Sequence, residues 1–442
     1  MYLNRLINSF PKPKSNYFKY RHLSTNPCNI QCDVAVVGAG IVGTSIARKL
    51  KLQHSTQKVL LVEKECTVAK HQSSHNSGVM HCGVYYTTKS LKAKFCVQGI
   101  DLLQKYCEEK NIKFNKCGKL IVAKECSEVG VLEKLLQQGE ANCIKNLKLL
   151  ESQCEIQEIA PGCRGSGALW CPQTANVDFK EITQHFLKDF QDAGGKTLLN
   201  TEIVSIAQSD NCEYPLNLIS QEGLTIQSKY AIGCGGLQSD SLTKLLKNGC
   251  TPDQYFISLK VDYQKIDSKY CENLQTNIYP VPDLELPFLG GHFSPQLDGS
   301  ILLGPYALPA LKVEGYCNEE VNINYMSKLI TSCGFRNMVI RNFSKCVSQA
   351  SKALCNEVQI KDLQQLLPNF SYQLVEKGPT AVQCQLLNRD GTFVNDFVFD
   401  IFNSKGIGER IINVKFTPSP AATSSLAIAN YIVEEYSKKI SQ

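Results

Sequence analysis

Residues 33–43, Asp-Val-Ala-Val-Val-Gly-Ala-Gly-Ile-Val-Gly, constrain this 442-residue chain more than any other stretch. The β-branched run 33–37 predicts a buried strand, 41–52 predicts a helix, and Val59–Val62 predicts a second strand closing on Glu63. Strand, glycine turn, helix, strand and acid follow one another as in a dinucleotide-binding βαβ unit. Gly38 permits the tight turn, Gly40 lets backbone approach a pyrophosphate, and Gly43 lets helix and strand pack closely. The helix start at Ile41 and Val42 presents its positive end to phosphates. Glu63, 20 residues past Gly43, can accept hydrogen bonds from ribose hydroxyls, and its charge disfavours a 2′-phosphate and hence NADP.

Beyond Glu63 the chain does not continue as a plain βαβαβ repeat. A polar loop spans 70–78, followed by His81, Tyr85 and Tyr86. A helix is expected over 90–110, a strand at Lys119–Ala123, and helices over 128–143 and 179–193. Residues 229–236 again read as strand into glycine turn, so the nucleotide unit is discontinuous. Residues 255–310 read as β-rich, with a hairpin turning at Asp298-Gly299. Pro418 to Ser425 opens a C-terminal helix reaching about Tyr436, with Pro and Ser suited to its first turn and cap. The expected architecture is α/β: a Rossmann-type unit from residues 32–110, 170–250 and 385–442, interleaved with an α+β substrate unit from 111–169 and 251–384.

The net charge of +6 is located rather than general. Residues 1–32 carry Arg5, Lys12, Lys14, Lys19 and Arg21 and no acid, leaving a body of 42 basic and 41 acidic residues. A nearly neutral body offers no electrostatic footprint for nucleic acid. The basic leader, 1–31, has the composition of a mitochondrial transit peptide and lacks the apolar core of a secretory signal. The 21 cysteines are odd in number, scattered and without C-x-x-C spacing, which supports no zinc ribbon or redox dithiol and suits a reducing compartment. No metal site is expected.

Several segments together resemble a known family: VVGAGIVG at 36–43, HNSGVMHCGVYY at 75–86, CGKLIVA at 117–123, HFSPQLDGSILLGP at 292–305 and PSPAATSS at 418–425. They are similar to the FAD-dependent L-2-hydroxyglutarate dehydrogenases, within the D-amino-acid-oxidase-like flavoproteins. The resemblance implies non-covalent FAD and oxidation of a 2-hydroxy acid, with hydride transfer to flavin N5. It also implies an electron acceptor, a quinone or an electron-transfer protein, and leaves peripheral membrane association open. It places cofactor contacts at Gly38, Gly40, Ile41, Val42, Gly43, Glu63, Lys64, Ser77, Gly78, Val204, Cys234, Gly235, Ser419, Pro420, Ala421, Ala422 and Thr423. His81 and His292 are the candidate bases, because neutral imidazole titrates near working pH. Tyr85 is a candidate to frame the substrate.

A dicarboxylate substrate calls for cations, and here the chain departs from the family pattern. Lys260, Gln383 and Lys415 stand where the family carries arginines. Lysine does not reproduce a bidentate guanidinium, and glutamine has no charge. Three readings follow: a dehydrogenase whose carboxylates are held by Lys260 and Lys415, a relative acting on another 2-hydroxy or amino acid, and a flavin-binding pseudoenzyme.

Overall fold

The computed structural model describes residues 30–246, 254–271, 274–282, 290–317, 319–370, 372–401 and 406–441. Most of the expected leader therefore lies outside the described residues. Its last two residues do not belong to a leader, because the first strand, Ile30–Val37, already pairs with Thr225–Gly233 from Ile30 onward.

That strand is central to an eight-stranded sheet. Val59–Val62 and then Lys196–Leu198 lie in parallel on one side of it. Thr225–Gly233 lies parallel on the other, continued by the antiparallel strands Leu216–Ser220 and Ile203–Gln208. Ile411–Phe416 joins the end of Thr225–Gly233 and carries Val398–Ile401 outside it. Val34, Val36, Leu61 and Val62 are fully buried, as an apolar strand covered on both faces requires. The helices Ile41–Gln53, Leu91–Lys110 and Ala421–Ile440 pack together on one face. Ile428, Ile432 and Val433 of the last are fully buried there, each worth about 1.5–3 kcal/mol of apolar transfer.

The second eight-stranded sheet runs Glu376–Asn388, Gln254–Asp267, Ser300–Pro309, His292–Pro295, Asn277–Pro280, Lys119–Ala123, Gly167–Cys171 and Lys148–Leu150. Two expected unit boundaries cut its strands. The one at 169/170 falls inside Gly167–Cys171, which is laddered to Lys119–Ala123 through Cys171. The one at 384/385 falls inside Glu376–Asn388, laddered to Gln254–Asp267 along its length. Both strands stay paired within this one sheet on either side of the expected breaks, so these breaks belong beyond 171 and 388. The C-terminal helix starts later than its Pro-Ser signal suggests, at Ala421, and its cap residue Pro420 supplies no side-chain hydrogen bond.

Four helices between 323 and 364 were not expected from the sequence: Ile323–Thr331, Cys333–Arg341, Phe343–Leu354 and Asn356–Gln364. The third packs over Ser300–Pro309.

Candidate functional site

A cleft opens where strands Ile30–Val37, Val59–Val62 and Thr225–Gly233 end. Its geometry begins with glycine. Gly38 has φ +105°, and a Cβ there would lie 2.3 Å from the Cys234 carbonyl oxygen. A Cβ on Gly43 would lie 1.9 Å from the Gly38 carbonyl oxygen. Neither position admits a side chain without moving backbone. The turn therefore brings the N-terminus of helix Ile41–Gln53 to the cleft, where the Ile41 N–H donates to the Ser73 hydroxyl at 2.9 Å.

The first compartment measures about 930 Å³ including the solvent at its mouth, and Gly38, Gly40, Glu63, Lys64, Cys234 and Gly235 line it. Glu63 is buried, its carboxylate accepting from the Ala39 N–H at 2.6 Å and the Glu65 N–H at 3.0 Å. Lys64 bridges Glu65 at 2.7 Å and Glu314 at 2.8 Å, so a segment following strand Ser300–Pro309 is clasped over the cleft wall. His71 reinforces the clasp, 3.0 Å from Glu65 and 3.1 Å from the Tyr316 hydroxyl.

Gly40, Gln72, Ser73, Cys234 and Gly236 are shared with a second compartment of about 1040 Å³, again including solvent, so the two form one elongated cleft. Ile41, Val42, Gly43, Ser77, Ser419, Pro420, Ala421, Ala422 and Thr423 line this end, together with His81, Tyr263 and Gln383. A glycine cradle beside a buried acid, leading to a helix N-terminus at the far end, fits an extended dinucleotide whose charged groups are met by backbone N–H and whose sugar is met by carboxylate.

Beside this second end lies a cluster of buried polar atoms without hydrogen-bond partners: His81 Nδ1, His292 Nε2, Lys119 Nζ and the hydroxyls of Tyr85 and Tyr279. His292 stacks on Tyr279 with centroids 3.8 Å apart. Its Nδ1 lies 2.9 Å from the Gly290 carbonyl, which can only accept, so Nδ1 donates and Nε2 keeps the free lone pair. His81 is held through its backbone: its N–H donates to Thr423 Oγ1 at 3.1 Å and its carbonyl accepts the Cys96 thiol at 3.1 Å. Burial pushes the His81 imidazole down to about 3, with the charge of Lys119 and then His292 adding to it. Burial likewise pushes His292 down to about 3, opposed by the Gly290 bond and assisted by Lys119. Both rings are neutral near pH 7.

The profile of the family described as "FAD dependent oxidoreductase" matches residues 33–432, spanning both sheets and the whole cleft. This chain belongs to that family. Relatives of the oxidoreductase that cover nearly its full length include "L-2-hydroxyglutarate dehydrogenase, mitochondrial" of Homo sapiens, 41% identical over 92% of this chain and 89% of the relative. The protein of the same name in Nematostella vectensis is 40% identical over 95% and 93%. That of Dictyostelium discoideum is 35% identical over 91% and 92%. Among solved structures, FAD-bound L-alpha-glycerophosphate oxidase from Mycoplasma pneumoniae superposes with TM-score 0.72 at 21% identity, covering 92% of this chain and 94% of that one. Glycine oxidase from Geobacillus kaustophilus superposes with TM-score 0.69 at 16% identity, over 93% and 95%. These two show the fold.

Several expected site residues of the oxidoreductase lie elsewhere. Lys260 and Lys415 do not reach the cleft. On paired strands, Leu259 opposite Gln383 shares one face and Lys260 opposite Val382 the other. Lys260 Nζ instead pairs with Asp262 at 2.8 Å. Lys415, the strand neighbour of the cleft-lining Val414, turns away and donates to Gln254 Oε1 at 2.8 Å. Val204 is 44% exposed and outside the lining, whereas its neighbour Ile203 is part of it. Gly78 also stands back, its carbonyl accepting from the Val177 N–H. Lys119, Ser73 and Tyr279 were missed as site residues. Ser73 was legible in principle, as a hydroxyl in the polar loop that follows the fingerprint.

Proposed function

We propose that this oxidoreductase binds FAD in the cleft and oxidises the 2-hydroxyl of L-2-hydroxyglutarate, giving 2-oxoglutarate, in mitochondria. The observation that carries the reading is the pair of neutral imidazoles, His81 lining the second end of the cleft and His292 in the buried cluster beside it, in a chain matched over nine-tenths of its length by curated dehydrogenases of that name. FAD, when bound, supplies a hydride acceptor. His292 Nε2, its tautomer set by Gly290, takes the hydroxyl proton. His81 orients the same hydroxyl from the opposite loop, and Thr423 couples that loop to the start of helix Ala421–Ile440. Gly38 and Gly40 would admit the pyrophosphate, Gly43 keeps the helix close against that turn, and Glu63 would meet the ribose.

The test is anaerobic bleaching of the flavin absorbance by L-2-hydroxyglutarate, with D-2-hydroxyglutarate and L-lactate alongside. Selective bleaching by the L-dicarboxylate is expected, and bleaching by L-lactate alone would reassign the substrate. The bleaching rate should be nearly flat between pH 8 and pH 5. Both imidazoles are held down to about 3 and so remain unprotonated throughout that range. A rate falling through the ordinary histidine range near pH 6.5 would contradict this assignment.

Electrons pass on to a quinone-type acceptor at a membrane surface. No described helix is long and apolar enough to cross a bilayer. Helices Ile323–Thr331, Cys333–Arg341 and Phe343–Leu354 nevertheless expose Ile323, Ile330, Ile340, Phe343, Val347 and Leu354. Residues 321–356 carry five basic side chains and no acid, the composition of an interfacial surface facing anionic lipid. The protein should float with vesicles containing anionic lipid and not with neutral ones. Replacing Phe343, Val347 and Leu354 by Ser should abolish flotation while leaving bleaching by L-2-hydroxyglutarate intact.

A further inference from the structure

We propose that Lys119 is the cation that receives a substrate carboxylate, with the Tyr85 and Tyr279 hydroxyls as its co-donors. The proposal rests on the reading that an anionic 2-hydroxy acid enters this cleft, and it names a group that the cleft's visible lining does not include.

Lys119 opens the strand Lys119–Ala123 and is paired in register with Asn277 of the neighbouring strand, beyond which lies the strand that begins at His292. Its side chain is fully buried and its ammonium makes no hydrogen bond. The ammonium sits 4.3 Å from the ring centroid of Tyr85 and 5.2 Å from that of Tyr279. Two ring faces compensate only a fraction of the desolvation of a buried ammonium. An unpaired buried charge is a cost that a fold carries only where something else is gained. The hydroxyls of both tyrosines are likewise buried and unpaired, so three donors lie together with only neutral acceptors near them, the His81 and His292 ring nitrogens and the Ser294 hydroxyl beside Tyr279, and no carboxylate among the unpartnered atoms of the described residues. Three donors without an anionic partner make a receptor for an anion, and a carboxylate offers two oxygens with about four lone-pair sites. Lys260 and Lys415, the cations expected to do this work, are turned to other partners. One rival counter-ion lies close by: the Cys82 thiol is pulled down by the hydrogen bond with the Cys171 thiol, against its burial, and further by the charge of Lys119. No sulfur is within hydrogen-bond reach of Lys119 Nζ.

The test compares wild-type, Lys119→Met and Lys119→Arg holoenzyme, using glutarate, an inert dicarboxylate, as the probe. Two quantities are read: the glutarate Kd from perturbation of the flavin spectrum, and the melting temperature with and without glutarate. Removing an unpaired buried charge for an apolar side chain of similar length should raise the ligand-free melting temperature by roughly 2–4 °C. The same change should weaken glutarate at least about tenfold, the scale of a charge-assisted hydrogen bond. Lys119→Arg should keep a measurable part of that affinity. A lower melting temperature in Lys119→Met overturns the proposal, because the lysine would then serve the fold or a Cys82 thiolate. Unchanged glutarate affinity in Lys119→Met, or no glutarate binding to the wild type, overturns it as well. The substrate reading fails separately: glutarate binding that depends on Lys119, without bleaching by L-2-hydroxyglutarate, sinks that reading and leaves the anion receptor standing.

Discussion

Replacing His292 with Asn lowers the rate of flavin bleaching by L-2-hydroxyglutarate about 10²–10⁴-fold, the range for loss of a positioned general base. Asn keeps a donor that can meet the Gly290 carbonyl, as His292 Nδ1 does at 2.9 Å, so the local backbone is retained. It offers no basic nitrogen in the place of Nε2. The flavin content should match the wild type, because His292 lies on the second sheet and does not line the cofactor cleft. Substrate affinity should change far less than rate, which stopped-flow bleaching at several substrate concentrations separates. A variant that bleaches within a few-fold of wild type would move the proton transfer to His81. The corresponding His81→Asn change would then produce the large loss.

Gly43→Ala yields a protein that purifies without flavin. One added methyl group would stand 1.9 Å from the Gly38 carbonyl oxygen and 3.1 Å from the Cys234 Cβ. No rotamer relieves this, since a Cβ has none. Relief requires the helix to withdraw from the strand, which carries the Ile41 N–H and the whole phosphate-facing turn with it. The ratio of absorbance at 450 nm to that at 280 nm measures the outcome. Stoichiometric FAD with an unchanged melting temperature would mean that the turn is more compliant than its contacts indicate.

The cofactor half of the site was legible because its information is local. Three glycines, two apolar strands and Glu63 lie within one continuous stretch, and each has a single physical job. The C-terminal helix was legible for the same reason, although its cap was not, since Pro420 rather than Ser419 precedes the first turn. The substrate half was misread wherever meaning depends on which face of a strand a residue occupies. Lys260 and Lys415 occupy sequence positions that invite a carboxylate, yet strand alternation turns both away, and Gln383 alone of the three lines the cleft. Lys119 sat unremarked inside a strand-like run because its isolation comes from neighbours far along the chain, Tyr85 before it and Tyr279 beyond it. The helices between 323 and 364 escaped because they are short, and their apolar residues are divided between an inner and an outer face.

The Lys64 clasp ties the two sheets together at the wall of the cleft, since Lys64 and Glu65 follow strand Val59–Val62 and Glu314 follows strand Ser300–Pro309. Loss of the Lys64 charge would leave the Glu65 and Glu314 carboxylates as neighbouring like charges across that wall.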